Sequence, residues 1–290
     1  MNCPSNNLKT IVAYYAAKIA TIYPEEESRQ IVWMLVENFF NVNRLMLSVN
    51  QDLRLNESEL LIFHNACEEI LRHTPVQYVI GKANFCGLSF ELNTSILIPR
   101  PETEQLTQLI LKKIPVNPIP IHILDIGTGS GCIAVTLKKE RPDCEIYACD
   151  INRNALQTAQ KNAERHNALV HFFHYDILST DNLSSVPEMD VIISNPPYIP
   201  FSEKLAMRSN VLLHEPETAL FVPDEDPLLF YKAIAKIARE KLADGGKIFF
   251  EINEKFGNKT TEILRQYGFI NIIIENDFRG KVRFAYAENS

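Results

Sequence analysis

A glycine-rich turn and two acidic residues are spaced along the chain in a pattern that suits binding of a ribose and an adenine base. The apolar run at residues 121–126 leads into Gly127-Thr128-Gly129-Ser130-Gly131, and glycines let a backbone turn sharply and approach a ligand closely. Asp150 ends the next apolar run, where an acid can accept hydrogen bonds from two ribose hydroxyls. Asp176 and Ile177 follow a third run, so Asp176 can accept from an adenine amino group while Ile177 packs on the ring.

The sequence of the turn helps to distinguish between two adenosine-containing ligands, S-adenosylmethionine and NAD. In the dinucleotide-binding pattern G-x-G-x-x-G the third glycine comes one position later than Gly131, where this chain has Cys132. Asp125 precedes the turn, where an acid helps to neutralise a cationic ligand and repels a pyrophosphate. Both features favour S-adenosylmethionine over NAD. An NAD-dependent or non-catalytic cofactor-binding protein is the competing interpretation.

A second candidate motif, Asn195-Pro196-Pro197-Tyr198, follows a fourth apolar run. Because ligands of open α/β sheets bind outside the carboxyl ends of the strands, this motif is expected at the same edge as the glycine turn. The prolines have a fixed φ, so the Asn195 side-chain oxygen and the Pro196 carbonyl can accept both hydrogens of an NH2 group. Tyr198 can stack on a planar amide or base and favours a cationic methyl group nearby. The motif therefore predicts methylation of a planar amide or amine nitrogen.

The elements that must position these residues alternate along the chain from residue 103 onward. The predicted strands are 121–126, 145–149, 170–175, 189–194, 247–252, 270–275 and 283–288. The predicted helices are 103–114, 131–140, 153–167, 227–242 and 255–267, the fourth with Asp226 as N-cap, Pro227 as first residue and Gly245-Gly246 after its end. This alternation predicts an α/β domain at residues 100–290, with a Rossmann-like, mostly parallel seven-stranded sheet whose last pair is antiparallel.

Residues 1–80 have a helical periodicity and predict a small helical bundle. Pro24 and the three acids after it suit the first turn of one helix. Asn56 with Glu59 fits a capping box that opens another helix, and weaker patterns lie near residues 8–22 and 42–50. Residues 81–99 predict a β-hairpin that links the bundle to the domain after it. The bundle contains no catalytic constellation, which leaves a scaffold role and a partner-docking role open.

The composition indicates which kinds of partner and which cellular compartment to expect. A formal net charge of -7, from 36 acidic and 29 basic residues, disfavours a stable nucleic-acid partner. The six cysteines are scattered without a Cys-x-x-Cys pair, which predicts reduced thiols and no metal site. The N-terminus lacks the pattern of a signal peptide, and no apolar stretch reaches the ~18 residues of a spanning helix. We therefore expect a cytoplasmic monomer without a membrane partner.

Further motifs extend over nearly the whole chain. They are Thr74-Pro75-Val76-Gln77-Tyr78 with Gly81 and Phe85, Ile98-Pro99-Arg100-Pro101-Glu102-Thr103-Glu104, Glu215-Pro216-Glu217-Thr218-Ala219-Leu220, and Asp277-Phe278-Arg279-Gly280-Lys281-Val282-Arg283. Together with the glycine turn, Asp150 and the Asn-Pro-Pro-Tyr motif, they resemble the protein-(glutamine-N5) methyltransferases. That family modifies the Gly-Gly-Gln loop of peptide-chain release factors.

The resemblance implies a class I S-adenosylmethionine-dependent methyltransferase that acts in translation termination. It implies that Gly127 to Gly131, Asp150, Ile177 and Asn195 contact the cofactor, that Asn195 to Tyr198 hold the glutamine, and that the helical bundle engages the release factor. Some members carry a basic residue just before Glu-Pro, where this chain has Leu213-His214. Because Asn-Pro-Pro-Tyr also occurs in adenine-N6 DNA and RNA methyltransferases, that substrate class is the alternative prediction.

Overall fold

The computed structural model describes residues 5–114, 120–179, 183 and 186–290. These residues divide into two compact units. One comprises the described residues up to Lys82 together with Arg208–His214, and the other comprises Ala83–Met207 and Glu215–Ser290. Cys3, one of the six cysteines considered above, lies outside the described residues. Within the described residues, no helix has both the length and the apolar character needed to cross a membrane.

The first unit is a helical bundle with an apolar core of its own. Its helices before Lys82 are α1 (Leu8–Ile19), α2 (Glu25–Phe40), α3 (Arg44–Val49), α4 (Glu57–Leu71) and α5 (Val76–Ile80). Ile11, Val32 and Phe63 are fully buried in its core. The Asn56 side chain accepts from the Glu59 N–H and the Glu59 carboxylate accepts from the Asn56 N–H, so the predicted capping box is confirmed.

A hairpin follows the bundle. Strands β1 (Lys82–Phe85) and β2 (Leu88–Glu91) form a two-stranded sheet of their own. Phe85 and Phe90 are fully buried in a core cluster that also contains Ile123 and Ile193. The hairpin therefore packs as part of the second unit, which begins at Ala83.

The second unit alternates helices and strands. Its first half contains α6 (Pro101–Lys113), β3 (His122–Ile126), α7 (Cys132–Glu140), β4 (Glu145–Asp150), α8 (Arg153–Arg165), β5 (Val170–His174) and β6 (Met189–Ser194). There follow β7 (Ile199–Pro200), α9 (Ser209–His214, which belongs to the first unit), β8 (Phe221–Val222), α10 (Leu229–Lys241), β9 (Leu242–Glu251), α11 (Gly257–Gln266), β10 (Ile270–Asn276) and β11 (Val282–Glu288). The two-residue strands β7 and β8 pair with each other in parallel.

Seven of these strands form one sheet in the order β10-β11-β9-β6-β3-β4-β5. The β10–β11 and β11–β9 pairs are antiparallel and the others are parallel. Ile123 and Leu124, neighbours in β3, belong to two different core clusters, as expected for a central strand whose side chains alternate between two covered faces. The predicted mostly parallel, Rossmann-like sheet with an antiparallel last pair is confirmed.

Two predicted boundaries in this unit are wrong. Helix α10 begins at Leu229 with Leu228 as N-cap, because Asp226 belongs to the turn before it, where its carbonyl accepts from the Leu229 N–H and its carboxylate pairs with Lys232 at 2.8 Å. Strand β9 begins at Leu242 and contains Gly245-Gly246, which were predicted to separate it from the helix. The early start is stabilised by pairing of Leu242 with Met189, before an irregularity in the register.

Candidate active site

The glycine turn is built where β3 ends and α7 begins. Gly127, Gly129 and Gly131 have φ values of 76°, 56° and 78°, a region in which residues with a Cβ are strained. The N–H groups of Gly127 and Thr128 donate to the Cys149 carbonyl at 2.9 and 3.0 Å. The turn is thereby attached to the end of the neighbouring strand β4.

Asp150, the last residue of β4, holds the turn with its carboxylate. Oδ2 accepts from the Gly129 N–H at 2.9 Å and Oδ1 accepts from the Asn152 N–H at 2.8 Å. Burial raises the pKa of Asp150 above its ordinary value, and the two backbone N–H groups act in the opposite direction. A carboxylate oxygen can accept more than one hydrogen bond, so Asp150 can also accept from hydroxyl groups of a ligand.

A cavity of about 670 Å³ lies beside the turn. Its wall includes Gly127, Gly129 and Asp150. The segment after β5 contributes Asp176 and Ile177, and the segment after β6 contributes 195–197. The cavity is largely apolar elsewhere, with Ile96, Leu97, Ile151, Phe201, Phe221, Phe230 and Ile234 among its lining side chains. Residues predicted for the cofactor and residues predicted for the substrate therefore face one space.

The turn and the Asn-Pro-Pro-Tyr motif lie side by side because β3 and β6 are paired neighbours. Ile126, the last residue of β3, pairs with Ser194, the last residue of β6. The Ser194 hydroxyl also donates to the Ile126 carbonyl at 2.7 Å. Gly127 and Asn195, the next residues along the two segments, both line the cavity.

Other residues predicted for the site do not line this cavity within the described part of the chain: Asp125, Thr128, Ser130, Gly131 and Tyr198. Asp125 is fully buried in β3, where it accepts from the Thr128 hydroxyl at 2.7 Å. Burial raises the pKa of Asp125 to about 7. The Ser130 carbonyl accepts from the Asn162 side chain at 2.9 Å. The side chains of Asp125 and Thr128 thus support the turn from within the fold.

Tyr198 and Asn195 are connected through two side chains that were not predicted as site residues. The Tyr198 hydroxyl donates to Glu251 Oε1 at 3.0 Å, and Glu251 Oε2 accepts from the Thr103 hydroxyl at 2.7 Å. Thr103 Oγ1 accepts in turn from Asn195 Nδ2 at 3.1 Å. Burial raises the pKa of Tyr198 far above its usual range. The hydroxyl of Tyr198 is therefore bonded to the protein, whereas stacking on a substrate was its predicted contribution.

A signal for Glu251 was present in the sequence. Glu251 is the next-to-last residue of the predicted strand 247–252, and an acid near the carboxyl end of a strand in an α/β sheet lies at the ligand-binding edge. In the structure Phe250 pairs with Ser194, so Glu251 and Asn195 follow paired residues. Thr103 was noted only as part of the Ile98–Glu104 motif, and its contact with Asn195 had no comparable signal, because that contact depends on how α6 packs against the sheet.

Comparison with known proteins supports this architecture. The family profile "PrmC N-terminal domain" matches residues 11–81, and "Methyltransferase small domain" matches residues 100–220. The release factor glutamine methyltransferase of Bacteroides thetaiotaomicron is 40% identical over 280 residues, which cover 97% of this chain and 99% of that protein. That of Flavobacterium psychrophilum is 38% identical over 278 residues, covering 95% and 97%. This chain belongs to the release factor glutamine methyltransferase family.

Membership of this family confirms the resemblance inferred from the sequence motifs, and it identifies the chain as a methyltransferase. A solved structure, the delta-N METTL16 MTase domain, has a TM-score of 0.51 and 19% sequence identity, and the match covers 70% of this chain and 89% of that one. At this identity the match supports the class I methyltransferase fold alone. Within the release factor glutamine methyltransferase family, the cavity described above is the candidate active site of this chain.

Proposed function

We propose that this protein transfers a methyl group from S-adenosylmethionine to the side-chain nitrogen N5 of the glutamine in the Gly-Gly-Gln motif of peptide-chain release factors. The observation that carries the proposal is the shared cavity wall, in which Gly127, Gly129 and Asp150 adjoin Asn195-Pro196-Pro197. A methyl donor and a methyl acceptor must lie next to each other for direct transfer, and this wall offers a surface for each.

The cavity residues fit the chemistry of S-adenosylmethionine. The Asp150 carboxylate suits the ribose hydroxyls, and Asp176 with Ile177 suits the amino group and the ring of adenine. The turn brings backbone against the cavity at Gly127 and Gly129, where no Cβ intervenes. When bound, the cofactor supplies a methyl group on a positively charged sulfonium. Thr128, Ser130, Gly131 and Asp125 would contribute by holding the turn in shape.

Asn195 and Pro196 are proposed to hold the glutamine side chain. Asn195 Nδ2 is bonded to Thr103, so the Asn195 oxygen is the atom left to accept a hydrogen from the substrate NH2 group. The Pro196 carbonyl would accept the other hydrogen, and Pro197 would limit the space around the amide. Tyr198 would support the motif through its hydrogen bond to Glu251. With both hydrogens directed at these oxygens, the face of the nitrogen is presented to the methyl donor.

Orientation is the main contribution required from the protein, because an amide nitrogen is a weak nucleophile whose lone pair is delocalised into the carbonyl. Fixing two reactants in a productive geometry can lower a barrier by about 7–11 kcal/mol. The apolar lining of the cavity, which includes Phe201, Phe221 and Phe230, would exclude water from the reacting groups. The nitrogen becomes acidic only as it gains the methyl group, so no strong base is needed before attack.

The helical bundle at residues 1–80 is proposed to engage the release factor, with residues 100–290 carrying the chemistry and the enzyme acting as a monomer. Helix α3 supports a docking role because it exposes Leu45 by 72% and Val49 by 82%. These two side chains are one helical turn apart and therefore share a face. Large apolar side chains clustered on a surface are typical of protein interaction sites.

Incubation with a labelled methyl donor and a purified release factor tests the proposal, with mass spectrometry to locate the added methyl group. The expected result is a single methyl on the Gly-Gly-Gln glutamine, and its loss when that glutamine is replaced by alanine. A methyl group on another residue, or transfer to DNA or RNA and not to the release factor, would contradict the proposal. Equilibrium binding of NAD without affinity for S-adenosylmethionine would contradict the cofactor assignment.

A further inference from the structure

Asn195 lines the cavity and is the first of four side chains in a continuous hydrogen-bonded row: Asn195, Thr103, Glu251 and Tyr198. The successive distances are 3.1 Å from Asn195 Nδ2 to Thr103 Oγ1, 2.7 Å from Thr103 Oγ1 to Glu251 Oε2, and 3.0 Å from the Tyr198 hydroxyl to Glu251 Oε1. Thr103 and Glu251 are 4% and 1% exposed. Both ends of the row belong to the Asn-Pro-Pro-Tyr motif, and its middle belongs to α6 and β9.

The direction of the hydrogen bonds in this row is determined by its middle. An ionised carboxylate only accepts hydrogen bonds, so Glu251 takes the single hydroxyl hydrogen of Thr103. The Thr103 oxygen can then only accept from Asn195, which requires the NH2 group of the Asn195 amide, and not its oxygen, to face Thr103. An asparagine side chain has two nearly equivalent orientations that exchange its oxygen and nitrogen. The row selects the orientation that leaves the Asn195 oxygen for another donor.

A carboxylate at this position is costly unless its partners compensate for it. Removing an ion from water costs several kcal/mol even in real proteins. Burial accordingly raises the pKa of Glu251, while its hydrogen bonds and the positive charge of Arg283 lower it. Arg283 Nη1 donates to the Ile252 carbonyl at 3.2 Å and lies 3.5 Å from the Tyr198 hydroxyl. A pair of apolar side chains would fill the same space without this cost, but it would leave the Asn195 orientation unspecified.

We propose that Thr103 and Glu251 are positioning residues that fix the Asn195 amide with its oxygen toward the acceptor nitrogen and hold the Tyr198 hydroxyl away from it. Their effect on turnover rests on the proposed function, whereas their effect on the Asn195 orientation is a property of the fold. Neither residue lines the cavity within the described chain, so both act through Asn195 and Tyr198. The two effects can be measured separately.

The kinetic test uses Thr103→Val, Thr103→Ser and Glu251→Gln in the full chain, with a release factor as substrate. Valine removes the hydroxyl, and glutamine provides one acceptor and one donor where two acceptors are needed. We expect Thr103→Val and Glu251→Gln to lower kcat by at least about tenfold, with the Kd for S-adenosylmethionine changed less than about twofold. Thr103→Ser keeps the hydroxyl and should retain at least about half of the wild-type kcat.

A double-mutant comparison distinguishes positioning from a general loss of structure. If Thr103 acts through Asn195, adding Thr103→Val to Asn195→Ala should lower kcat by less than about threefold further. Full additivity of the two losses, or a Thr103→Ser enzyme as impaired as Thr103→Val, would overturn the proposal. A wild-type kcat in Thr103→Val would also overturn it.

The orientation itself is read by NMR on protein labelled with ¹⁵N at asparagine, where the Asn195 side-chain signal is identified by its absence in Asn195→Ala. We expect one Nδ2 hydrogen of the wild type and of Thr103→Ser to exchange slowly with water, and fast exchange of both in Thr103→Val. Equal exchange in all three proteins would refute the positioning role, whatever the activity. Protected exchange in a wild-type protein that methylates no release factor would leave the positioning role standing and refute the proposed function.

Discussion

The guanidinium of Arg100 donates from Nη2 to both carboxylate oxygens of Glu215, at 2.6 and 2.7 Å. The two residues are 115 positions apart in the chain, and the Glu215 side chain is only 1% exposed while that of Arg100 is 33% exposed. Arg100 lies three residues before Thr103, which is bonded to Asn195. Glu215 lies just before residues 217–219, which line the cavity. The ion pair therefore fixes two segments of the site to each other.

Replacing Arg100 with alanine should destabilise the larger unit. The Glu215 carboxylate would be buried without its partner. Breaking a fully buried ion pair costs about 3 kcal/mol or more. Because Arg100 is partly exposed, we expect a somewhat smaller loss of unfolding free energy here. The double variant Arg100→Met with Glu215→Leu should recover most of the loss, because apolar replacement of both partners is often neutral. Urea unfolding followed by far-UV circular dichroism measures the unfolding free energy of the single and the double variant. A double variant as unstable as Arg100→Ala would show that the unpaired Glu215 charge is not the cause of the loss.

Gly131 is required by two separate constraints, which a matched pair of substitutions can separate. Its φ is 78°, and a Cβ there would lie 3.0 Å from the Cβ of Ala159. Gly87 has a φ of 77°, but a Cβ there would meet no atom within 4 Å apart from its chain neighbours. Gly87→Ala should therefore cost about 1–2 kcal/mol of unfolding free energy from backbone strain alone. Gly131→Ala should cost at least about 1 kcal/mol more, because α8 must also shift.

Thermal unfolding of the two glycine variants and the wild type measures this difference. Equal losses would show that α8 accommodates a methyl group and that packing against Ala159 is not a constraint on the turn.

Asp125 should make the stability of the fold depend on pH between about 4 and 7. Burial raises its pKa from the ordinary 3.8 to about 7. Below this range both folded and unfolded chains carry the proton. As the pH rises through it, the unfolded chain loses the proton first, so the fold loses up to about 1.4 kcal/mol per pH unit. Asp125→Asn cannot ionise, so its stability relative to the wild type should rise from pH 4 to 7 and then level off.

An exposed aspartate provides a control of opposite sign. Hydrogen bonds from Ser202 lower the pKa of Asp224, so its contribution is present above its ordinary pKa and is lost as the pH falls through the lowered value. Asp224→Asn should therefore lose stability relative to the wild type as the pH rises. Unfolding temperatures from about pH 2 to about pH 8 cover the titration ranges of both carboxyl groups. A difference for Asp125→Asn that does not vary with pH would show that this aspartate titrates normally.

The sequence predicted those features that depend on local patterns. The strand ends at Ile126, Asp150 and Ser194 follow from apolar runs, and the pairing of parallel strands then places Gly127 beside Asn195. The capping box at Asn56 is also local. The start of β9 was misplaced because paired glycines usually end an element, whereas here Leu242 gains a strand partner in Met189.

Contacts between distant segments were not predictable in this way. The Thr103–Glu251 hydrogen bond joins residues 148 positions apart, and the Tyr198–Glu251 bond joins residues 53 apart. Neither depends on periodicity or spacing, because both arise from the packing of α6 and of the segment after β6 against the end of β9. The sequence therefore predicted only a stacking role for the Tyr198 ring, and it gave no indication that the Tyr198 hydroxyl bonds to Glu251.

Asp150 should be required for cofactor binding, and even asparagine, its closest analogue in shape, should not be able to replace it. Its two oxygens accept from the N–H groups of Gly129 and Asn152, so Asp150→Asn would place an NH2 group against one of these donors. We expect the Kd for S-adenosylmethionine to rise at least about tenfold, equivalent to about 1.4 kcal/mol or more. Asp143→Asn is the control, since Asp143 is paired with Arg141 at 2.6 Å near the surface. Calorimetric titration measures both, and unchanged affinity in Asp150→Asn would remove this residue from the cofactor site.

Asn195→Ala should separate catalysis from cofactor binding. The side chain removed is the proposed acceptor for one substrate hydrogen, while the Asp150 carboxylate and the glycine turn stay intact. We expect turnover of the release factor to fall at least about tenfold, or about 1.4 kcal/mol of transition-state stabilisation, with cofactor affinity nearly unchanged. Asn276→Ala, which truncates an exposed asparagine at the end of β10, should leave both quantities unchanged. Since the proposed Asn195 contact orients the nitrogen in the transition state, a loss confined to KM would mean that Asn195 only binds the substrate, and normal turnover would exclude it from the mechanism.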